Sequence, residues 1–120
     1  MRADIQIVIN EIEKSLSLLR QRLDWDNVKK KREEFDALTE DPDLWNEPYK
    51  AQNLMRERQN FIDQLDGHDA INNELKENIE LIELAEIEAD EEILQEVFAA
   101  LQMLEKRASA CLLYTSPSPR

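Results

Sequence analysis

The stretch ADIQIVINEIEKSLSLLRQRL, residues 3 to 23, decides the fold class because its apolar side chains recur at alternating steps of four and three residues. That spacing keeps one apolar stripe on a single side of an α-helix, where a second helix can cover it. The sequence therefore predicts a first helix over residues 3 to 23. Its stripe consists of Ile5, Ile9, Ile12, Leu16, Leu19 and Leu23.

A second helix is predicted over residues 26 to 39. Asp24 and Asp26 are expected to act as N-caps, because an aspartate side chain accepts hydrogen bonds from the free amides of a helix's first turn. The helix should end before Pro42, since the residue that precedes a proline avoids the helical region. A linker that contains Trp45 follows.

The third helix is predicted to be long, from about residue 48 to residue 88. Pro48 fits its first turn, where the missing amide of a proline leaves no hydrogen bond unmade. Gly67, the only glycine of the chain, lies inside this helix and costs about 1 kcal/mol relative to alanine. We expect one continuous helix with room for a bend at Gly67, and a true break there is the second alternative.

Asp90 is placed to cap a fourth helix over residues 91 to 108. The connection to the third helix is short, which makes the two helices antiparallel neighbours. Residues 1 to 108 are therefore predicted to form one all-α domain. We expect an elongated antiparallel bundle with coiled-coil-like packing, about four helices and one long helix among them.

Residues 109 to 120 are predicted to be a non-native tail. From Cys111 onward the sequence CLLYTSPSPR has no heptad continuity and no charge before its last residue. It resembles the translation of a sequencing adapter, and such segments are excluded from fold reasoning.

The net charge of −12 is concentrated in the second half of the chain. Residues 63 to 105 carry fourteen acidic side chains and one basic side chain. Residues 1 to 62 carry thirteen acidic and eleven basic side chains, so their charges nearly balance. Because affinity for nucleic acids comes largely from Lys and Arg, no autonomous nucleic-acid binding is expected.

No apolar run approaches the roughly 20 residues that span a bilayer, so no membrane association is expected. A lone cysteine agrees with a reducing compartment, and a cytoplasmic location is predicted.

The sequence predicts no catalytic residue, no cofactor and no metal site. His68 is the only histidine, and we interpret it as a solvated or helix-seam residue, because a metal site ordinarily needs several convergent ligands. The carboxylate pairs at positions 41 and 43 and at positions 91 and 92 are interpreted as capping and turn residues.

Two charged stretches are candidates for contact with a partner, although a solvated face is the more common role of such a run. One is a basic run at the start of the second helix. The other lies where glutamates recur at every third position from 74 to 86, which gives an acidic surface suited to a basic protein. The candidates are Lys29, Lys30, Lys31, Arg32, Glu77, Glu80 and Glu83.

Both tryptophans lie beside predicted helix breaks. A large indole ring can cover the apolar floor that a helix break leaves open. Trp25 and Trp45 are therefore expected to plug the ends of the bundle, and contact with a partner is the alternative role.

Two acidic-aromatic motifs carry a resemblance to a known family. LDWD at residues 23 to 26 and DPDLWNEP at residues 41 to 48 resemble the start of bacterial peptide chain release factor 2, a family of class I release factors. The similarity extends over residues 1 to 107 and covers only the family's first, helical domain. It implies a role in termination of translation at UGA and UAA codons, with the ribosome as partner.

The resemblance also implies what this chain does not do. In the family, a Ser-Pro-Phe tripeptide reads the codon and a Gly-Gly-Gln loop promotes hydrolysis of peptidyl-tRNA, both in later domains. Neither motif occurs in this sequence. The chain is expected to be an N-terminal fragment that is not itself an enzyme. The family's first domain lies toward the stalk base of the large ribosomal subunit, where the recycling GTPase release factor also acts.

Three other interpretations are open. A type 1 release factor is disfavoured by the two tryptophan motifs. A free-standing helical coiled-coil adaptor is permitted by the periodicity alone. The helical arm of a tRNA-binding enzyme is disfavoured by the acidic second half.

Overall fold

Four α-helices account for most of the chain. In the computed structural model, which describes residues 2 to 114 and the side chains of residues 2 to 113, the helices are α1 (Ala3–Arg22), α2 (Val28–Glu40), α3 (Pro48–Glu88) and α4 (Glu91–Tyr114). Two 3₁₀ helices, Trp25–Asn27 and Pro42–Asn46, join the first three. No strand occurs between residues 2 and 114. The predicted all-α class is confirmed.

The molecule is a rod of 63 × 26 × 22 Å. Its length is set by α3, because 41 residues at a rise of about 1.5 Å per residue span about 60 Å. The predicted elongated bundle with one long helix is therefore confirmed. α3 also runs without interruption through Gly67, which was the first of the two alternatives.

The main core lies where α1, α4 and the second half of α3 pack together. The apolar stripe that the sequence predicted on α1 is buried along its whole length. Burying an aliphatic side chain contributes about 1.5–3 kcal/mol, so this three-helix region supplies most of the stability. The residues at its centre, all almost fully buried, are Ile5, Ile12, Leu16, Ile82 and Leu101.

A second, smaller cluster lies where α2 crosses the first half of α3. It is built around Leu23, Phe61 and Leu65, with the Phe35 ring of α2 centred 5.7 Å from that of Phe61. α2 itself has no fully buried residue, and its Leu38 is half exposed. This helix is therefore attached to the rod by a thin apolar face, as its sequence indicated.

The connection between α1 and α2 differs from the prediction. Asp24 has a left-handed backbone (φ 54°, ψ 63°), and its side chain makes no capping hydrogen bond. Asp26 lies inside the following 3₁₀ helix, and the residue that precedes α2 is Asn27. The prediction that Asp24 and Asp26 cap α2 was therefore wrong. An N-cap residue must directly precede its helix, whereas here a 3₁₀ turn lies between Asp24 and α2. The Asp24 carboxylate instead accepts a hydrogen bond from Asn27 Nδ2 at 3.0 Å.

The connection between α2 and α3 follows the sequence closely. α2 ends at Glu40, before Pro42, and the Asp41 carboxylate accepts a hydrogen bond from the Asp43 amide at 3.0 Å. That bond is typical of an aspartate that closes a turn onto its own backbone. Pro48 occupies the first turn of α3, as predicted.

α4 continues to Tyr114, six residues beyond the predicted end at 108. Ala108 is buried, and half-buried Cys111 packs against both clusters. Positions 104, 108 and 111 keep the four-three spacing of the earlier stripe, so the helix gains apolar contacts by continuing. The prediction of a non-native tail over residues 109 to 120 stays a prediction, and its last six residues lie outside the described part of the chain.

Gly67 faces this last part of α4. A Cβ atom added at Gly67 would lie 3.3 Å from Cys111 Sγ, slightly tighter than ordinary contact. A residue larger than alanine would push the two helices apart. Glycine therefore serves here as a spacer in a continuous helix rather than as a break.

Replacing Gly67 with alanine is expected to raise the free energy of unfolding, by up to about 1 kcal/mol, because alanine is the better helix former. The close sulfur offsets part of this gain. In a Cys111→Ala background the same substitution should therefore stabilise more, as measured by urea denaturation. A destabilising effect of Gly67→Ala in both backgrounds would contradict this account of the contact.

The turn between α3 and α4 is held by backbone and side-chain bonds together. Ala89 has a left-handed backbone (φ 53°, ψ 41°), and the Asp90 amide donates to the Ala85 carbonyl at 2.9 Å. The Asp90 carboxylate accepts from the Ile93 amide at 3.1 Å. This is the N-cap that the sequence predicted for the fourth helix.

Replacing Ala89 with glycine is expected to raise the free energy of unfolding by about 1 kcal/mol, since a side chain with a Cβ is strained in the left-handed region. The matched control is Ala70→Gly, an exposed position inside α3. That change should lower stability by about the same amount. Thermal denaturation followed by circular dichroism measures both, and equal signs for the two variants would contradict the prediction.

Candidate partner-binding surfaces

His68 is buried at the junction of α1 and α3, with 2% of its surface exposed. Its Nε2 lies 3.0 Å from Arg20 Nη1, and its Nδ1 lies 3.1 Å from Asp69 Oδ1. A guanidinium can only donate hydrogen bonds, so Nε2 accepts and the proton of the neutral ring is assigned to Nδ1, which donates to Asp69. Both ring nitrogens have partners, and the residue is a helix-seam histidine.

Trp25 covers this histidine from outside. The indole and imidazole ring centres are 4.4 Å apart at an angle of 46°, and Trp25 is 39% exposed. The indole therefore lies over His68 just after the end of α1, with about two-fifths of the residue exposed. A tilted aromatic pair of this kind adds stability beyond its buried area.

Trp45 lies differently from the expectation. It is 56% exposed, and its indole N–H donates to the Thr39 carbonyl at 3.2 Å. It does not plug the bundle, because it lies in the connection between α2 and α3 with more than half of its surface exposed. Trp45 instead forms one wall of an open cavity of about 580 Å³, whose other lining residues are Pro48, Tyr49, Ala51, Gln52 and Met55.

The basic run lies on the first turn of α2, and all four of its side chains are exposed. Lys31 Nζ lies 4.9 Å from the centre of the Phe61 ring, which is within range of a cation–π contact. Three acidic residues follow closely along the same helix, at positions 33, 34 and 36. The run is therefore a local cationic patch on a helix whose remaining charges are acidic.

The acidic candidates lie on the outward side of α3, in its second half. Glu77, Glu80 and Glu83 are exposed, whereas Glu74 forms an ion pair with Arg107 of α4. Sequence reasoning missed the apolar residues beside them. Leu81, Leu84 and Ile87 are all exposed, and their three-residue spacing, parallel to that of the glutamates, was the signal available in the sequence.

The groups with a shifted pKa lie outside these surfaces. The pKa of Asp4 is lowered by the side-chain hydrogen bond from Arg2, which ties down the start of α1. Burial raises the pKa of the Cys111 thiol, so this side chain behaves as a small apolar group between α3 and α4. Among residues 2 to 113, no group of three His, Cys, Asp or Glu side chains is arranged to hold a metal ion.

No described helix combines the length and apolar character needed to cross a membrane. The described part of the chain is a helical rod with charged and apolar outer faces. The fold therefore places the chain in the class of elongated all-α bundle domains, and a fold alone does not define a function.

Comparison with known proteins narrows this class, although no protein-family model matches the chain. The chain is 50% identical over 109 residues to peptide chain release factor 2 of Roseobacter denitrificans and 44% identical over 109 residues to that of Ruegeria sp. (strain TM1040). These alignments cover 91% of this chain. Peptide chain release factor 2 of Paramagnetospirillum magneticum is 36% identical over 115 residues, or 96% of the chain.

The recognition from the two tryptophan motifs is confirmed: the chain belongs to the peptide chain release factor 2 family. It spans 29% of the length of the Ruegeria and Roseobacter relatives and 31% of the Paramagnetospirillum relative.

Proposed function

We propose that this helical bundle acts in termination of translation, as the domain that positions a class I release factor of the UGA- and UAA-reading type on the large ribosomal subunit. In this proposal the bundle acts in the cytoplasm and holds the factor in its position on the ribosome. Codon reading and hydrolysis of peptidyl-tRNA belong to parts of the factor outside this chain.

The observation that carries the proposal is the similarity to release factor 2 along nearly the whole bundle, at 44–50% identity over 109 residues. The chemistry of the chain agrees with it. Gly67 is the only glycine, so a Gly-Gly-Gln loop has no place in this sequence. A rod of 63 × 26 × 22 Å is suited to bridging two distant contacts.

The basic run and the glutamates lie on different parts of the rod, which supports a different contact for each. The run Lys29 to Arg32 lies on α2 beside Phe61 and is suited to ribosomal RNA or an acidic protein surface. The glutamates at 77, 80 and 83 lie on the other half of α3 and are suited to a basic protein. The stalk base of the large subunit and the recycling GTPase are the partners that the family resemblance suggests.

The experiment is a chimera in which this chain replaces the aligned segment of the Roseobacter denitrificans factor. Release of formyl-methionine from ribosomes with UGA or UAA in the A site is measured at varied ribosome concentration. The chimera is expected to retain activity. A variant without the segment should show a KM for ribosomes raised at least about tenfold, or about 1.4 kcal/mol of lost binding, with kcat little changed.

The isolated chain is the control, and it is expected to give no codon-dependent release. A deletion that leaves KM unchanged would overturn the positioning role, and so would one that lowers only kcat. Codon-dependent hydrolysis by the isolated chain would overturn the assignment of chemistry to other parts of the factor.

A further inference from the structure

An apolar ridge faces solvent on the second half of α3. Ile87 is 81% exposed and Leu84 57%, while Ile82 and Ala85, on the other side of the same turns, are almost fully buried in the core. Leu81, at the edge of the ridge, is 45% exposed and lies closer to the buried side. Leu84 and Ile87 therefore point away from the bundle. A row of large apolar side chains in water is unfavourable unless something covers it.

Glutamates flank this ridge along its whole length. At about 100° per residue, Glu77, Glu80 and Glu83 share the outward third of the helix with Leu84 and Ile87. Lys76 is the single basic side chain between residues 63 and 105, against fourteen acidic ones. Whatever covers the ridge must therefore carry positive charge beside apolar side chains.

The dimensions of the ridge fit a helix. Positions 77 to 87 span about three turns, or about 15 Å, along α3. A partner helix with apolar residues at every third or fourth position matches such a row, as in other cases where an amphipathic helix is laid along an apolar surface. We propose that the outward face of residues 77 to 87 is a docking surface for a basic amphipathic helix of a partner protein.

Two other occupants fit less well. Nucleic acid has phosphates that the glutamates repel. A second copy of this chain has its basic run on α2, but the apolar side chains of that helix, Val28 and Phe35, already pack on α3 of the same molecule. That helix therefore offers only the half-exposed Leu38 as an apolar contact beside its basic run.

The inference deepens the proposed positioning function by naming the chemistry of one partner, and it can be tested without ribosomes. The probe is a fluorescein-labelled 15-residue peptide with leucines at every third or fourth position and lysines elsewhere. Its binding to the full chain is followed by fluorescence anisotropy. The comparison peptide has the same composition in a scrambled order that has no helical period.

The periodic peptide is expected to bind at least about tenfold more tightly than the scrambled one. The double variants Leu84→Ser/Ile87→Ser and Glu80→Lys/Glu83→Lys should each weaken binding at least about tenfold. The matched controls on the outer face of α1, Ile7→Ser/Leu18→Ser and Glu11→Lys/Glu13→Lys, change side chains that are also exposed. These controls should leave the affinity within about twofold.

Equal binding of the two peptides, or equal weakening by the α1 and α3 variants, would overturn the inference by showing only general attraction between opposite charges. Absence of binding would also overturn it. Sedimentation that shows a dimer dissociated by Leu84→Ser/Ile87→Ser would assign the ridge to a second copy instead. None of these results depends on the termination assay, so the docking surface and the proposed function can fail separately.

Discussion

Replacing Leu101 with alanine is expected to lower the free energy of unfolding by about 2–5 kcal/mol. Leu101 lies on α4 at the centre of the main core and has no exposed surface. The substitution removes apolar contacts with both α1 and α3 and leaves a cavity that a rod only 22 Å thick has few neighbouring side chains to fill. Urea denaturation followed by circular dichroism measures the loss.

Met103 provides the matched control, since it lies on the same helix and is 62% exposed. Met103→Ala should change stability by less than about 0.5 kcal/mol. If both variants lost the same amount, α4 would not pack in the orientation described.

Replacing His68 with alanine is the second change with a large expected effect, a loss of about 1–3 kcal/mol. The substitution takes away the hydrogen-bond acceptor for Arg20 and the ring that Trp25 covers. In a Trp45→Phe background, Trp25 is the only fluorophore of its kind, and its emission should move to longer wavelength as the indole becomes more hydrated. Fluorescence and denaturation are measured on the same samples.

His68→Leu separates the two contributions. Leucine restores an apolar contact for Trp25 but accepts no hydrogen bond from Arg20. The fluorescence of this variant should therefore stay close to that of the unsubstituted histidine, while part of the stability loss remains. A leucine variant as stable as the parent would show that the Arg20 bond contributes nothing, which would contradict the account of this site.

The helices could be predicted from the sequence because their apolar stripes are regular. The six-residue stripe of α1 is buried as its spacing indicated, and Pro42, Pro48 and Asp90 mark helix boundaries for reasons that are local to the backbone. The end of α4 was missed because the change of composition after Cys111 outweighed the spacing of only two further apolar positions. Helix boundaries of this kind can be predicted because they depend on residues that are close together in the sequence.

The surfaces were harder to predict because they depend on which helices meet. Asp24 has the residue type of an N-cap, but tertiary packing of Trp25 on His68 accompanies a left-handed turn there instead. The exposure of Trp45 depends on how the 3₁₀ helix that carries it meets α3. The exposure of Leu84 and Ile87 depends on where α1 and α4 pack on α3, which places the core on the other side of that helix.

The length of α3 has a mechanical consequence. α3 carries residues of both the α2 cluster and the three-helix core and is continuous between them, so a movement imposed at one end reaches the other without crossing a hinge. For a helix about 60 Å long, a tilt of one degree about Pro48 displaces Glu88 by about 1 Å. The bundle is built as a stiff lever, and a small rotation at a contact on the α2 hairpin becomes a measurable shift of the acidic end.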